Sequence, residues 1–266
     1  MKVLICSDSG RVAELAARLL VGQVRGKPDS GLGLATGRTM ESIYRRLVGI
    51  AGADGIDFGA VTTFNLDEYV GLAGEQVQSY RHYMRAHLFG HVNLDSARTH
   101  VPDGAARDAD AEARAYEARI AGAGGIDLQL LGLGENGHIG FNEPLSSLAS
   151  RTRVVTLARA TLMQNAGLFD GDPARVPTRA ITMGTGTILE ARKALMVVTG
   201  ARKAGIAARA IEGPVSASVP GSALQCHPDC LVLLDPAAAS ALKLRDAIEW
   251  QMRYDAELFA IQALSR

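Results

Sequence analysis

The stretch I-D-L-Q-L-L-G-L-G-E-N-G-H-I-G-F-N-E-P, residues 126–144, decides the fold. Residues 126–133 are apolar except for Asp127 and Gln129, which is typical of a strand buried on both faces in a parallel sheet. Glycines then interrupt the pattern and allow tight turns. Polar side chains follow at the carboxyl end of the strand, where open α/β sheets bind ligands: Asn136, His138, Asn142 and Glu143. His138 and Glu143 on one loop indicate an imidazole whose tautomer and basicity are set by a partner.

The composition limits the classes of function. The chain has 266 residues, which suits one large α/β domain. Lysine plus arginine equals aspartate plus glutamate at 28 each, and no basic run favours a nucleic-acid partner. No apolar stretch is long enough to span a membrane, and the start has no signal-peptide pattern. The three cysteines do not suggest a disulfide framework, so we expect a cytoplasmic protein.

Strands alternate with helical patterns along the chain. This predicts a three-layer α/β/α sandwich, with a mostly parallel Rossmann-like sheet and helices on both faces. We expect residues 1–266 to form one domain, with a lid segment at about 145–180. Residues 169–178 are rich in Asp, Gly and Pro and suggest a mobile cover, whereas Ala180 to Met183 is a candidate buried strand.

Three further loops are candidate parts of a site. Thr36 to Thr39 follow a short strand and begin a helix, as in a phosphate-binding loop; an ordinary turn capped by Thr39 explains the same residues. Lys203 begins a helix after a strand, where it can reach a phosphate or simply lie at the surface. Asp67 and Glu68 follow a strand and can hold a metal, act as a base or form a solvated turn.

Two other features are assigned no site. C-H-P-D-C at 226–230 lacks the further ligands of a zinc site, so we expect structural cysteines. Trp250, Tyr254 and Phe259 have helical spacing, which predicts core or interface packing. Taken together, the loops indicate proton-transfer chemistry on a phosphorylated small molecule.

Five segments closely resemble, in order and spacing, the glucosamine-6-phosphate deaminase (isomerase) family: L-A-T-G-R-T, V-T-T-F-N-L-D-E-Y-V-G-L, L-G-L-G-E-N-G-H-I-G-F-N-E-P, S-S-L-A-S-R-T-R and V-T-G-A-R-K. The resemblance spans nearly the whole chain. It implies an aldose–ketose isomerisation coupled to deamination, which converts glucosamine 6-phosphate and water to fructose 6-phosphate and ammonia. It implies neither a cofactor nor a metal, because the opened sugar's own carbonyl acidifies the neighbouring carbon–hydrogen bond.

The resemblance also implies roles for individual residues. His138 would open the sugar ring, with Asn136 and Glu143 orienting it, and Asp67 would move a proton from carbon 2 to carbon 1. The phosphate-binding positions match Ala35, Thr36, Gly37, Arg38, Thr39 and Lys203. Asn136 stands where some members have aspartate, and an uncharged group raises the basicity of the imidazole less strongly.

Other positions depart from the family pattern. Arg38 replaces a second glycine of the phosphate loop, and either contacts phosphate or faces solvent. A substrate-binding arginine of some members aligns with Gly167, so Arg175 or Arg179 is a candidate to replace it.

Some members are hexamers activated by N-acetylglucosamine 6-phosphate, which makes a homo-oligomer a further expectation. Of the effector positions, Ser146, Arg153 and Thr156 match, whereas Val155 replaces a lysine and Glu249 a tyrosine. We therefore expect weak or absent activation. Two alternatives stay open: a 6-phosphogluconolactonase-like hydrolase, and a sugar-phosphate-sensing regulator.

Overall fold

The strands of residues 1–264, the part of the chain that the computed structural model describes, form two sheets. The larger sheet has seven parallel strands in the order β1-β10-β9-β6-β2-β3-β5, and the smaller has three antiparallel strands in the order β4-β8-β7. The strands are β1 (Lys2–Ile5), β2 (Gly31–Leu34), β3 (Thr62–Asn65), β4 (Asp67–Tyr69), β5 (Thr99–His100), β6 (Leu128–Gly132), β7 (Arg153–Thr156), β8 (Arg179–Thr182), β9 (Lys193–Val198) and β10 (Cys230–Leu234).

Helices cover both faces of the parallel sheet, which confirms the predicted three-layer α/β/α class. They are α1 (Ser9–Gly26), α2 (Arg38–Asp54), α3 (Tyr80–Met84), α4 (Ala109–Gly122), α5 (Arg159–Asn165), α6 (Thr185–Leu189), α7 (Ala204–Glu212), α8 (Arg245–Tyr254) and α9 (Ala256–Ala263). A π-helical turn, Arg85–Phe89, continues α3, and single 3-10 turns occupy several loops. Helix α1 begins as predicted after Asp8, whose carboxylate accepts a hydrogen bond from the backbone N–H of Arg11 at 2.8 Å.

The centre of the sheet is apolar on both faces, as the run in residues 126–133 predicted. Leu130 and Leu131 on β6 are fully buried and pair with Leu195 and Met196 on β9. On the other side, Gly33 of β2 lies opposite Gln129, and a Cβ at Gly33 would lie 2.0 Å from the Gln129 amide oxygen. A side chain at position 33 would therefore displace the buried Gln129.

The order of the strands determines which loops meet. Strands β9, β6, β2 and β3 are consecutive neighbours and parallel, so their carboxyl ends lie at one edge of the sheet. The loops that leave this edge carry Lys203, His138, Thr36 and Asp67 in that order. The topology thus brings together the four candidate loops.

The antiparallel sheet was not predicted. Residues 180–183 were expected to be a buried strand, and Ile181 and Thr182 are indeed buried, but they belong to β8, which pairs with β4 and β7. Asp67 begins β4 opposite Thr182 and does not lie in a solvated turn. The apolar side of this sheet packs on a second hydrophobic cluster that is separate from the main core: Tyr69, Tyr80, Val101, Phe141, Leu157, Ala166, Phe169, Val176 and Ala180.

The C-terminal helices depart from the expected packing. Trp250 and Tyr254 lie on α8, which begins at Arg245, and Phe259 lies on α9. Trp250, Tyr254 and Phe259 are 62%, 67% and 63% exposed, so the prediction of core packing was wrong and only the interface alternative remains. None of the helices within residues 1–264 is long and apolar enough to cross a bilayer.

Candidate active site

The glycine-rich loop after β6 is shaped around the imidazole of His138. The backbone N–H of Gly134 donates to the carbonyl of His138 at 2.9 Å, which folds the loop back on itself. A Cβ at Gly134 would lie 2.2–2.4 Å from three atoms of the imidazole ring. Glycine at position 134 therefore leaves the space that the ring occupies.

A short hydrogen-bond relay fixes the protonation of this ring. Asn136 donates its side-chain Nδ2 to Glu143 Oε2 at 2.7 Å, and its Oδ1 lies 2.7 Å from His138 Nδ1. A carboxylate only accepts, so the amide nitrogen must face Glu143 and the amide oxygen must face the imidazole. In the neutral imidazole, Nδ1 therefore carries the proton and Nε2 has the free lone pair.

Asn136 consequently links His138 to a carboxylate. It connects the imidazole to the Glu143 carboxylate, whose Oε2 also lies 3.6 Å from His138 Nδ1. Glu143 is buried, and its other oxygen accepts from the Thr161 hydroxyl and from the backbone N–H of Ala158 at 3.3 Å. Burial alone raises the pKa of Glu143, but the adjacent His138 and the hydrogen bonds from Thr161 and Asn136 outweigh it and lower that pKa to about 2. The relay therefore ends in a charged carboxylate at neutral pH.

Asp67 has the opposite electrostatic environment. Burial, and to a lesser extent the adjacent Glu68, raise its pKa to about 8, although the backbone N–H of Phe141 offsets part of the effect. Asp67 is only 6% exposed. Two carboxyl groups in one site thus have pKa values on either side of neutrality, the pattern expected when one holds a charge and the other exchanges a proton.

Gly140 is the point at which the two loops meet. A Cβ at this residue would lie 3.2 Å from Asp67 Oδ2 and 3.1 Å from the Thr182 hydroxyl, and the backbone has φ +54°. The next N–H, of Phe141, donates to Thr182 Oγ1 at 3.0 Å. The main chain of the histidine loop therefore touches the carboxyl group of Asp67 directly.

Glu68 is a structural anchor. Its two oxygens accept hydrogen bonds from the Ser79 hydroxyl at 2.7 Å and from the backbone N–H groups of Tyr69, Tyr80 and Arg81 at 2.9–3.1 Å. The side chain is buried away from solvent. Every interaction of Glu68 holds the start of α3 against β4, and no oxygen remains to serve as a base.

The loop between β2 and α2 has the geometry of an anion site. Gly37 is the N-cap of α2 with φ +115°, a conformation that favours glycine, so the alternative with Thr39 as N-cap was wrong. Two tyrosine hydroxyls donate hydrogen bonds to carbonyls of this loop: Tyr44 to that of Ala35, and Tyr83 to that of Gly37 at 2.8 Å. No side chain within residues 1–264 caps α2, so the first N–H groups of the helix, those of Arg38 and Thr39, are available to an anion.

Lys203 lies next to this loop at the sheet edge. Its ammonium donates to the Leu133 carbonyl at the end of β6, the strand adjacent to β2, and burial lowers its pKa. Thr199, in the loop that leads from β9 to Lys203, has its hydroxyl 3.5 Å from the hydroxyl of Thr39. An open cavity of about 540 Å³ adjoins these two threonines and is lined also by Ser9, Gly10, Val12, Ala13, Arg38, Ser42, Arg45 and Arg46.

The segment between β7 and β8, residues 157–178, contributes contacts that the sequence did not reveal. We call it the α5 segment. Thr161 bonds Glu143, and Asn165 donates to the Tyr69 hydroxyl at 2.8 Å. Tyr69 in turn accepts from Tyr80 at 3.2 Å, next to Asp67. One helix of seven residues therefore contacts both the partner of the histidine and the surroundings of Asp67.

The C-H-P-D-C stretch plays no part in this site. His227 is buried, its Nε2 lies 2.7 Å from the Ala191 carbonyl, and its Nδ1 accepts from the backbone of Asp229 at 3.0 Å. Cys230 is buried in β10, and Cys226 is exposed. Within residues 1–264, no three His, Cys, Asp or Glu side chains cluster as metal ligands.

Known proteins share the sequence and the fold. A family model described as glucosamine-6-phosphate isomerases/6-phosphogluconolactonase matches residues 9–232. A glucosamine-6-phosphate deaminase of Shewanella loihica is 51% identical over 99% of this chain and 97% of its own length. A solved structure of a monomeric glucosamine-6-phosphate deaminase is 42% identical, covers 91% of this chain and 100% of its own, and superposes with a TM-score of 0.88. A 6-phosphogluconolactonase from Trypanosoma cruzi is 19% identical, covers 91% of this chain and 97% of its own, and has a TM-score of 0.70, which shows the shared fold.

Proposed function

The chain belongs to the family of glucosamine-6-phosphate isomerases and 6-phosphogluconolactonases, and within it we infer that this protein is a glucosamine-6-phosphate deaminase. It converts glucosamine 6-phosphate and water to fructose 6-phosphate and ammonia. One observation carries the choice: the loop that orients the His138 imidazole also packs, at Gly140, against the buried carboxyl group of Asp67, whose pKa is raised. Ring opening needs the first group, and proton transfer between neighbouring carbons needs the second.

His138 acts in ring opening. Its Nε2 accepts the proton of the anomeric hydroxyl and returns it to the ring oxygen as the bond between that oxygen and carbon 1 breaks. The imidazolium formed in between is stabilised by the Glu143 carboxylate through Asn136, because Nδ1 already donates into the relay. The Nδ1 proton stays in place throughout the exchange.

Asp67 acts in the isomerisation. As a carboxylate it takes the proton from carbon 2 of the opened sugar, and as an acid it delivers a proton to carbon 1. This leaves a carbon–nitrogen double bond at carbon 2, which water hydrolyses to the ketone and ammonia. A pKa of about 8 makes Asp67 a much stronger base than an ordinary carboxylate, which suits the weak acidity of a carbon–hydrogen bond.

The phosphate group fixes the position of the sugar. The amides of residues 35–39 and the dipole of α2 favour an anion at the helix N-terminus, and Lys203 adds a positive charge at the same sheet edge. We propose that the α5 segment acts as the lid. Its contacts through Thr161 and Asn165 place it against both halves of the site, where it would exclude water.

The cellular setting follows from the same proposal. The free thiols at Cys6, Cys226 and Cys230 suit the reducing cytoplasm, where sugar phosphates are metabolised. The exposed Trp250 and Tyr254, with ring centroids 4.4 Å apart, favour a homo-oligomer, although a 42%-identical relative is described as monomeric.

The test measures ammonia and fructose 6-phosphate formed from glucosamine 6-phosphate. The wild type should release both in equal amounts, and His138→Gln should be slower by about 100-fold or more, as expected when a general acid–base group is lost. His91→Gln is the matched control, because His91 is exposed and, within residues 1–264, its ring bonds only the Ala86 carbonyl.

Two results would contradict the proposal. Hydrolysis of 6-phosphogluconolactone without deamination would identify a lactonase. Binding of the sugar phosphate without any turnover would identify a sensor of sugar phosphates.

A further inference from the structure

Arg38 is an arginine without a partner at the rim of the candidate site. It is the first residue of α2, directly after the N-cap Gly37, and it is exposed. Two other arginines near the site are paired, Arg175 with Asp170 and Arg46 with Glu14. Arg38 forms no side-chain hydrogen bond or ion pair with any residue of 1–264. A cation in this condition is free to bind an anion that reaches the loop.

The side chain of Arg38 points across the site toward the α5 segment. Its Nη2 lies 3.6 Å from the position that a Cβ at Gly167 would occupy. Gly167 lies in the 3-10 turn Ala166–Leu168 that follows α5, and no other atom comes within 4 Å of that position. The guanidinium therefore borders the space that a side chain at residue 167 would enter.

The two arginines expected to replace a cation at position 167 are engaged elsewhere. Arg175 is 57% exposed in its side chain and paired with Asp170 within the same turn region. Arg179 begins β8 and lines a separate surface pocket with Arg107 and Asp108. Arg38 is the arginine that the structure places both in the phosphate loop and beside Gly167.

We propose that Arg38 binds the substrate phosphate and closes the α5 segment over it, supplying from the phosphate loop the guanidinium that a side chain at position 167 would otherwise supply. The proposal rests on the proposed function, because it takes a phosphorylated substrate. A guanidinium presents two parallel N–H donors to phosphate oxygens, and Lys203 supplies only a point charge. With phosphate bound, Arg38 has the anion on one side and the turn at Gly167 on the other.

An arginine on α2 would act differently from an arginine at position 167 of the α5 segment. The cation stays on α2, which is fixed by packing against α1, while the segment brings only backbone to the contact. Phosphate binding would therefore order the α5 segment through Arg38. Removing Arg38 should weaken phosphate binding and free the segment together.

The test compares four proteins: wild type, Arg38→Ala, Arg38→Ala with Gly167→Arg, and Arg45→Ala. Arg45 is the matched control, since it is exposed on the same helix, lines the same cavity and has no partner within residues 1–264. KM for glucosamine 6-phosphate should rise about 10- to 100-fold in Arg38→Ala, the range for a lost charge-assisted hydrogen bond. It should return to within about fivefold of wild type in the double variant, and Arg45→Ala should match wild type.

A second readout does not depend on turnover. Inorganic phosphate should raise the melting temperature of the wild type and slow hydrogen exchange in residues 159–175. Both effects should be lost in Arg38→Ala and recovered in the double variant. Equal phosphate protection in wild type and Arg38→Ala, or a double variant no better than the single one, would overturn the proposal. If the wild type shows Arg38-dependent phosphate binding but no deamination, the proposed function fails and this inference stands.

Discussion

The raised pKa of Asp67 predicts that replacing this residue abolishes activity and stabilises the fold. The ordinary pKa of an aspartate is near 4, and that of Asp67 in the folded protein is about 8. Between about pH 4 and about pH 8, the folded protein therefore holds a proton on Asp67 that the unfolded chain has released. The free energy of unfolding therefore falls as pH rises through this window, by about 1.4 kcal/mol per pH unit from this group. Asp67→Asn removes the titrating group and keeps a neutral side chain of the same shape.

The expected magnitude follows directly. Asp67→Asn should be more stable than wild type by about 4 kcal/mol at pH 7 and by about 1.5 kcal/mol at pH 5, with no further change above about pH 8. Urea unfolding at both pH values measures this difference. In parallel, kcat/KM of the wild type should rise with pH through about 8 as Asp67 ionises, and the variant should be at least about 100-fold slower at every pH.

The control is Asp57→Asn. Asp57 is exposed, and hydrogen bonds from the Gly59 N–H and the Asn93 side chain lower its pKa, so its replacement should not stabilise the protein as pH rises. A stability difference between Asp67→Asn and wild type that stays constant from pH 5 to 7 would refute the reasoning, as would a kcat/KM profile whose rising limb lies near pH 4.

The remaining predictions concern the relay and the effector. Thr161→Val removes one hydrogen-bond donor to Glu143, so the pKa of Glu143 should rise from about 2 by about one to two units. The free energy of unfolding at pH 7 should fall by about 1–3 kcal/mol. Because the lowered pKa of Glu143 gives stability that is lost as pH falls from about 4.5 toward 2, the variant should unfold at higher pH on acidification, whereas Thr161→Ser should resemble wild type. N-acetylglucosamine 6-phosphate should leave the substrate saturation curve nearly unchanged, because Val155 is half-buried and Glu249 is paired with Arg245; a curve that steepens and shifts to lower substrate concentration would contradict this.

The sequence predicted the elements whose signals are local. The run of residues 126–133 and the glycines after it identify a buried parallel strand and the loop that carries His138, because burial on both faces requires an apolar run. Each of the four loops follows a strand, and the carboxyl ends of parallel strands lie at one edge of a sheet. The strand order β9-β6-β2-β3 places the four loops together at that edge. These inferences need only the alternation of strands and helices.

Other features depend on contacts between distant residues. Strand β4 has three residues, too few for any periodic pattern, so its pairing in the second sheet and the burial of Asp67 were not predictable. Thr161 looks like any threonine in a helix, and only the folded chain places its hydroxyl on Glu143. Asn136 was expected to be a weaker partner for His138 than aspartate, because it is uncharged. The sequence does not reveal the hydrogen bond that links Asn136 to the charged Glu143.

The antiparallel sheet also bears on how this fold diversifies. Both ends of the α5 segment are anchored in it, since β7 ends at Thr156 and β8 begins at Arg179, and β8 pairs with the strand that carries Asp67. A segment that leaves and re-enters the protein through adjacent paired strands can lengthen, shorten or be exchanged without shifting its anchors. The proton-transfer carboxyl group would keep its place while the cover above it is replaced. Chimeras that exchange residues 157–178 between relatives should thus fold, and they offer a direct route to altering which sugar phosphate is accepted.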